Sequence, residues 1–492
     1  MRQANNSERI LAQTESVCPH CLKKLTAYKI LRGDEVYLSK SCEQHGEFKT
    51  VVWRGRPAYE SWTRPKIPTQ PKVCYTEVSE GCPFDCGLCA AHRQHTCTAL
   101  LEVTARCNLK CPVCFAASSS LSDSADPGLE VIEGWYEKVI RASGYCNIQL
   151  SGGEPTVRED LPEIIAMGKK MGFSFIQLNT NGILLAQPGY AEQLRKAGLS
   201  SVFLQFDGTE DAIYTSIRGR PLLNEKLAAI ERCAQNGIGV VLVPTLVPGV
   251  NVQNIGEILR LAAGMPPVVR GVHFQPVSYF GRYPESPVDE SRVTLPEVMR
   301  EIEKQTGGMI KAANLKPPGC ENALCSFHGS FIKMPGGVLR AFSGRQQGSC
   351  CGSKGAEKAE EGARRAVSFV AKQWAGPVIK TDSWQGGIKG LNKGLNHAAD
   401  NGEANRRFNK AVQGENSGSA IGNDEISFDL HDFLDYARTN SFSVSAMAFQ
   451  DAWNLDLERL KDCCIHVVAP DGRLIPFCAY NLTNCHGEGL YR

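Results

Sequence analysis

Cys107, Cys111 and Cys114 are separated by three and then two residues, a spacing that lets one loop wrap a corner of an iron–sulfur cubane. Three thiolates then hold three irons of a 4Fe-4S cluster. The fourth iron stays open to a ligand, as the unfilled position does in a catalytic zinc site. Cys82, Cys86 and Cys89 repeat the spacing. No glycine-rich segment follows this first copy before the second begins, so it is read as an auxiliary cluster loop, with Cys97 as fourth ligand and Cys74 as its rival. A further auxiliary 4Fe-4S site is expected from Cys320 and Cys325 together with Cys463 or Cys464 and Cys478. Near the start, Cys18, Cys21 and Cys42 have the spacing of a metal ribbon, with His45 or Cys74 to complete it; zinc or a mononuclear iron suits such a set. Cys146 and Cys233 fall on apolar patterns and read as small core residues. Cys350, Cys351 and Cys485 stay unassigned, and His328, His431, His466 and His486 lack a partner motif.

The elements that must position these loops are legible as a pattern. Apolar runs at 99–105, 146–151, 174–179, 201–206, 238–244 and 270–276 read as strands. Stretches such as 159–171, 190–197, 222–236 and 251–262 carry apolar residues at helical spacing between them. Six β/α units make an α/β fold, a partial (β/α)6 barrel, over 99–310. Thr294 with Glu297 three positions later marks the start of one more helix. Ahead of the barrel lie a metal ribbon and proline-spaced linker over 1–72 and an auxiliary cluster segment over 73–98. Behind it, 311–492 holds the remaining cysteines, a glycine- and alanine-rich insertion near 352–424, and a turn at Pro470–Arg473 between two strands.

Composition narrows the class. The chain has 492 residues, 42% hydrophobic and 22% charged, with a formal net charge of +2, which leaves no electrostatic footprint for nucleic acid. No apolar run reaches the roughly 18 residues that span a bilayer, so the expectation is a cytoplasmic protein that is not integral to the membrane. In a reducing compartment 21 cysteines point to metal rather than to disulfides.

With Phe115 directly after the third cysteine, and Gly152, Gly153, Glu154 and Pro155 closing the next strand, the sequence resembles the radical S-adenosylmethionine (SAM) superfamily. The resemblance implies that Gly152–Pro155 contacts the SAM amino group, that Asn179 and Asn181 face the ribose, that Gln205 and Asp207 border the site, and that Arg218 pairs with the SAM carboxylate. It also implies reductive cleavage of SAM to methionine and a 5′-deoxyadenosyl radical that abstracts hydrogen, with electrons from a ferredoxin- or flavodoxin-type donor. No side chain is marked as a general acid or base.

The order of ribbon, paired cysteine loops, Phe449–Arg459 and Asp471–Cys478 is similar to the tetraether lipid synthases over about 18–340 and 427–482. The stretch between them and Cys350–Cys351 are not covered. That family implies auxiliary 4Fe-4S clusters, a rubredoxin-type iron and carbon–carbon coupling of unactivated hydrocarbon chain ends. The alternatives are radical modification of a peptide or small molecule, and a multi-cluster electron carrier. The C-x2-C-x5-C-x3-C run of peptide-modifying relatives is absent, and a carrier has no use for an open cluster or for Gly152–Pro155.

Overall fold

A computed structural model describes residues 8–118, 125–342, 356–377 and 430–492. Cys350, Cys351 and most of the glycine- and alanine-rich insertion lie outside these. The chain opens with β1 (Arg9–Val17), β2 (Lys24–Arg32), β3 (Glu35–Cys42) and β4 (Gly46–Arg54), an antiparallel sheet in sequence order. The β1–β2 connection carries Cys18 and Cys21, and the β3–β4 connection is flanked by Cys42 and holds His45. The ribbon is tied to the body by charge: Lys29 Nζ lies 2.6 Å from Asp456 Oδ2, and buried Lys40 donates to the Ala452 carbonyl at 2.6 Å. Desolvation brings the Lys40 ammonium down to about 7. The proline-spaced linker is not wholly free of structure, since β5 (Lys66–Ile67) pairs with β15 (Glu357–Lys358) from the insertion.

The barrel strands are β6 (Thr98–Thr104), β7 (Asn147–Gly152), β8 (Ile176–Thr180), β9 (Ser201–Gln205), β10 (Gly239–Val243) and β12 (Val269–Pro276), with the short β11 (Thr245–Leu246) against β12. Each matches an apolar run read from sequence within two residues at either end. Crossovers run through α1 (Leu129–Ser143), α2 (Leu161–Lys170), α3 (Tyr190–Ala197), α4 (Asp211–Arg218), α5 (Leu223–Gln235) and α6 (Ile255–Gly264). The capping box that opens α7 (Leu295–Gln305) is formed: the Thr294 N–H donates to Glu297 Oε2 at 2.7 Å.

The sheet does not stop at six strands. β13 (Ser326–Met334), β14 (Val338–Ala341), β16 (Ser441–Met447), β17 (Ile465–Val468) and β18 (Leu474–Pro476) extend it to the order β14-β13-β16-β12-β10-β9-β8-β7-β6-β17-β18. β16 lies parallel to β12 and β17 parallel to β6, so the C-terminal region supplies a parallel strand at each flank of the predicted six. The sequence showed only two apolar strands about a turn there; their partners are set by contacts far along the chain. The turn itself is present, with Gly472 at φ +83°. The start of the insertion forms a helix. Helix α8 (Ala359–Trp374) packs across the barrel end where β10 begins, and a Cβ on Gly239 would collide with the Trp374 carbonyl. Short helices α9 (Leu430–Thr439), α10 (Leu457–Leu460) and α11 (Phe477–Tyr480) complete the chain.

Cys146 and Cys233 are core residues, 4% and 1% exposed, as expected. Buried histidines make the fold sensitive to acid. His273 stacks on Phe203 and lies 2.8 Å from Ser445 Oγ; burial brings it down to about 4. Its folded value is depressed, so its contribution is complete above about pH 6.5 and is lost as pH falls from there toward 4. The loss is about 1.3 kcal/mol at pH 5.5 and about 3 kcal/mol near pH 4. Chemical denaturation at pH 7.5 and 5.5 is expected to show a smaller pH-dependent drop for His273→Gln than for the wild type. Equal drops would remove His273 from the explanation.

Candidate active site and metal centres

The Cys107–Cys114 loop leaves the C-terminal end of β6, where a parallel barrel places its chemistry. It is seated by β7. The Gly153 N–H donates to the Thr104 carbonyl at 2.8 Å and the Glu154 N–H to the Arg106 carbonyl at 2.9 Å. Gly152, at φ +129°, and Gly153 leave no room for a side chain, since a Cβ would strike Thr104 O or Arg106 O. The two glycines thus serve first the approach of β7 to the segment that launches Cys107. Gly153→Ala is expected to push that segment and to lower SAM cleavage about 100-fold, the scale of an ångström-level misplacement. Gly134→Ala in α1, where a Cβ meets nothing within 4 Å, should leave activity unchanged. Initial rates of 5′-deoxyadenosine formation check both.

Glu154 is buried, and burial pushes its carboxyl up. Its oxygens are already engaged: Oε1 accepts from Thr156 Oγ1 at 2.6 Å and Thr180 Oγ1 at 2.7 Å, and Oε2 from the Asn181 N–H at 2.6 Å. It therefore ties the ends of β7 and β8 together, and the acceptors left for an ammonium are the turn carbonyls. Asn181 in turn donates to Asn108 Oδ1 of the cysteine loop at 2.7 Å. Asn179 Oδ1 is different: it is buried, and Asn179 lines the cavity with no donor to that oxygen among the described residues. Asp207 faces away from the cavity and grips Arg218, at 2.7 Å to Nε and 2.8 Å to Nη2. Burial opposes the Arg218 charge, but Asp207 outweighs it and keeps the guanidinium protonated beside Cys111 and Cys114. Gln205 and Arg218 line the cavity, whereas Pro155 and Asp207 stand behind it.

Sequence reading missed Lys226. It is fully buried on α5, donates to the Asn181 carbonyl, and burial brings it down to about 8. A lysine on the face shared by Ala229, Ile230 and Cys233 was the available signal.

One cavity of about 760 Å³ joins these groups. Cys107, Cys111, Cys114, Gly152–Glu154 and Arg218 line one end, and Cys97, Cys320, Cys464 and Glu321 the other. Cys97 precedes β6 and Cys107 follows it, so the seven-residue strand sets the ends about 20 Å apart. Leu100, Phe203, Val243, Phe327, Phe369 and Phe477 form much of the wall between.

The cysteines regroup relative to expectation. Sγ of Cys97, Cys320 and Cys464 lie within 4.8 Å of one another. Cys97 and Cys464 are 3.2 Å apart, too far for a disulfide. Cys97 is therefore not the fourth partner of Cys82, Cys86 and Cys89. Cys74 is near enough to Cys89 for a thiolate there to push it up, after burial. The expected Cys320–Cys325–Cys463–Cys478 set divides as well. Cys325, Cys463 and Cys478 neighbour one another, each with its thiol pushed up first by burial, Cys478 to about 12. The division follows strand pairing: β17 beside β6 carries Cys464 to Cys97 and turns Cys463 the other way. In the ribbon, Cys18, Cys21, Cys42 and His45 converge within 4.8 Å, with His45 Nδ1 3.4 Å from Cys42 Sγ, so His45 completes the set and Cys74 does not.

The donor sets fit the groups that the sequence implied. The ribbon offers three thiols and an imidazole at single-ion spacing. Cys107, Cys111 and Cys114 are free thiols that do not all come within 4.8 Å, a wider triangle than one ion takes. The unpartnered Asn179 oxygen suits a polar ligand beside them.

Residues 101–262 match the model of the radical SAM superfamily, and residues 10–54 that of the HMPTM N-terminal zinc ribbon domain. The 7,8-dihydro-6-hydroxymethylpterin dimethyltransferase of Methanocaldococcus jannaschii is 35% identical over 482 residues, 95% of this chain and 93% of that one. The chain belongs to the radical SAM superfamily. A probable GTP 3′,8-cyclase of Archaeoglobus fulgidus is 34% identical over 164 residues, 32% of this chain and 52% of the cyclase. Among solved structures, Streptococcus suis SuiB bound to its precursor peptide SuiA aligns with a TM-score of 0.33 at 14% identity, over 37% of this chain and 40% of that one. This radical SAM protein is thus an enzyme with an N-terminal zinc ribbon on an α/β body. Among the described residues no helix is long and apolar enough to cross a membrane.

Proposed function

We propose that this enzyme forms a carbon–carbon bond at an unactivated carbon of an elongated, largely apolar substrate lying inside the barrel. The observation that carries the reading is the cavity that extends from Cys107–Cys114 to Cys97, Cys320 and Cys464 between apolar walls. A slender hydrocarbon chain suits that space, and a small-molecule or lipid substrate is the partner expected. Cys107, Cys111 and Cys114 would hold the catalytic 4Fe-4S cluster; bound with SAM, it supplies the electron that yields a 5′-deoxyadenosyl radical for hydrogen abstraction.

The remaining work belongs to the chain. Gly152 and Gly153 seat the cysteine loop, Glu154 fixes Thr180 and Asn181, Asn179 offers its oxygen to SAM, and Asp207 aims Arg218 at the cysteine end. The apolar wall keeps water from a reactive carbon centre. Cys97, Cys320 and Cys464, at the spacing of a single ion, would hold a metal centre at the far end of the substrate, and Cys74, Cys82, Cys86 and Cys89 an auxiliary cluster facing the electron donor. The four ribbon ligands would hold zinc.

A second reading, methyl transfer to a pterin-like heterocycle, is favoured by the name of the full-length relative. Glu321, Gln149 and His273, which also line the cavity, could hydrogen-bond such a ring. SAM labelled in its methyl carbon separates the two. Two 5′-deoxyadenosines per coupled product with no label incorporated is the expected result. Label in the product would overturn coupling in favour of methylation.

A further inference from the structure

His20 sits between Cys18 and Cys21 in the first ribbon knuckle, yet it takes no part in the ribbon centre, whose four ligands already complete a tetrahedral set. Its ring stacks on His45 with centroids 5.0 Å apart and points its Nδ1 outward, 3.3 Å from Cys485 Sγ. His486 follows, its ring 6.1 Å from that of His20. Ligand atoms of His20, Cys485 and His486 all lie within 4.8 Å of one another. We propose that these three side chains bind a second transition-metal ion, distinct from the ribbon centre and held between the ribbon knuckle and the C-terminal loop.

The backbone holds this arrangement in place. The Cys485 N–H donates to the Pro19 carbonyl at 2.8 Å, and Asn484 Nδ2 to the His20 carbonyl at 3.0 Å, so the loop is fastened to the knuckle on both sides of the thiol. Asn484 Oδ1 accepts from the N–H groups of His486 and Glu488, each at 2.9 Å, which curls the loop and brings the two donor side chains to one face. Gly487, at φ +83°, closes the curl.

One thiolate and two neutral imidazoles make a borderline-soft donor set, one sulfur with two nitrogens, that suits Zn(II) and its first-row neighbours rather than Mg(II) or Ca(II). Three protein ligands leave a fourth position, and the partial exposure of all three side chains lets water fill it. The ion would staple the tail. Beyond the loop, Tyr491 Oη donates to the Pro83 carbonyl at 2.7 Å and accepts from the Cys86 N–H at 2.9 Å. The stapled segment therefore links the ribbon directly to the Cys82–Cys89 loop.

The test uses the full chain with its clusters and ribbon loaded, and Co(II) alone as the probe, counted by elemental analysis and by the sulfur and nitrogen neighbours in X-ray absorption. The wild type is expected to take one more Co(II) than Cys485→Ala, with a single sulfur in its coordination. His486→Ala, which removes an exposed ring without repacking, should weaken that Co(II) by about 10- to 100-fold or more. An unchanged ribbon metal content in both variants shows that the knuckle has kept its fold. Equal Co(II) uptake by wild type and Cys485→Ala would overturn the proposal. Should Cys485→Ala disturb the ribbon, wild-type Co(II) affinity in His486→Ala would overturn it instead.

Discussion

Replacing Cys107, Cys111 or Cys114 with alanine is expected to bring 5′-deoxyadenosine formation from SAM and dithionite down to the protein-free rate, a loss of about 10⁶-fold or more if the usual enzymatic acceleration applies. Three thiolates are the minimum that leaves one iron open while holding the others, so a two-thiol loop has no cluster to offer. The cysteines are free, and burial pushes the Cys107 thiol up to about 12 and raises Cys111 as well, against the smaller opposing pulls of the Leu109 N–H, 3.4 Å from Cys107 Sγ, and of Arg218 beside Cys111, so it is bound iron that would draw the thiolates out. Cys464→Ala provides the contrast. It lies at the other end of the cavity, so it should retain deoxyadenosine formation while substrate product falls. Cys146→Ala, in the core, should change neither. Deoxyadenosine formed at the wild-type rate by Cys111→Ala would end the assignment of this loop.

The largest expected loss of stability is at Asp451. This carboxylate is fully buried, accepts from Arg292 Nη1 at 2.9 Å and Nη2 at 3.0 Å, and also takes the Tyr279 N–H at 2.9 Å and the Trp453 N–H at 3.1 Å. Arg292 in turn lies over the Tyr279 ring, 4.9 Å from its centroid. Asp451→Ala leaves a guanidinium buried without its counter-charge and costs about 3–5 kcal/mol. Arg292→Met in the same chain should recover part of that, because removing both charges avoids the uncompensated one. Denaturant unfolding of the holoprotein measures all three. A change within about 0.5 kcal/mol for Asp451→Ala would mean that water reaches Arg292 and the pair holds nothing.

How much of this was legible depended on how far apart the contributing residues lie. The six barrel strands, the Thr294–Glu297 cap and the cysteine loop with Gly152 and Gly153 were readable because each is a local pattern of periodicity, capping or spacing. The grouping of the remaining cysteines was not. Cys97 was assigned to Cys82–Cys89 because it is near in sequence, whereas the pairing of β17 with β6 delivers Cys464 to it from 367 residues away. Asp207 and Glu154 carried the right side chains for a binding site, yet they spend their oxygens on Arg218, Thr180 and Asn181. Such second contacts have no signature in a single chain. Lys226 and His20 were passed over because one reads as a helix-surface charge and the other as a spacer between ligands.

The placement of β16 and β17 also dictates an order of events during synthesis. The six central strands can assemble from neighbours in sequence, but β6 waits for β17 and β12 for β16, the slow, long-range closures of the fold. The ribbon ligands emerge together in one short stretch and can be metallated while the ribosome is still working. Cys97 and Cys320 meet Cys464 only once β17 is made, so any metal they hold would arrive later than the ribbon's, before that edge of the sheet shuts.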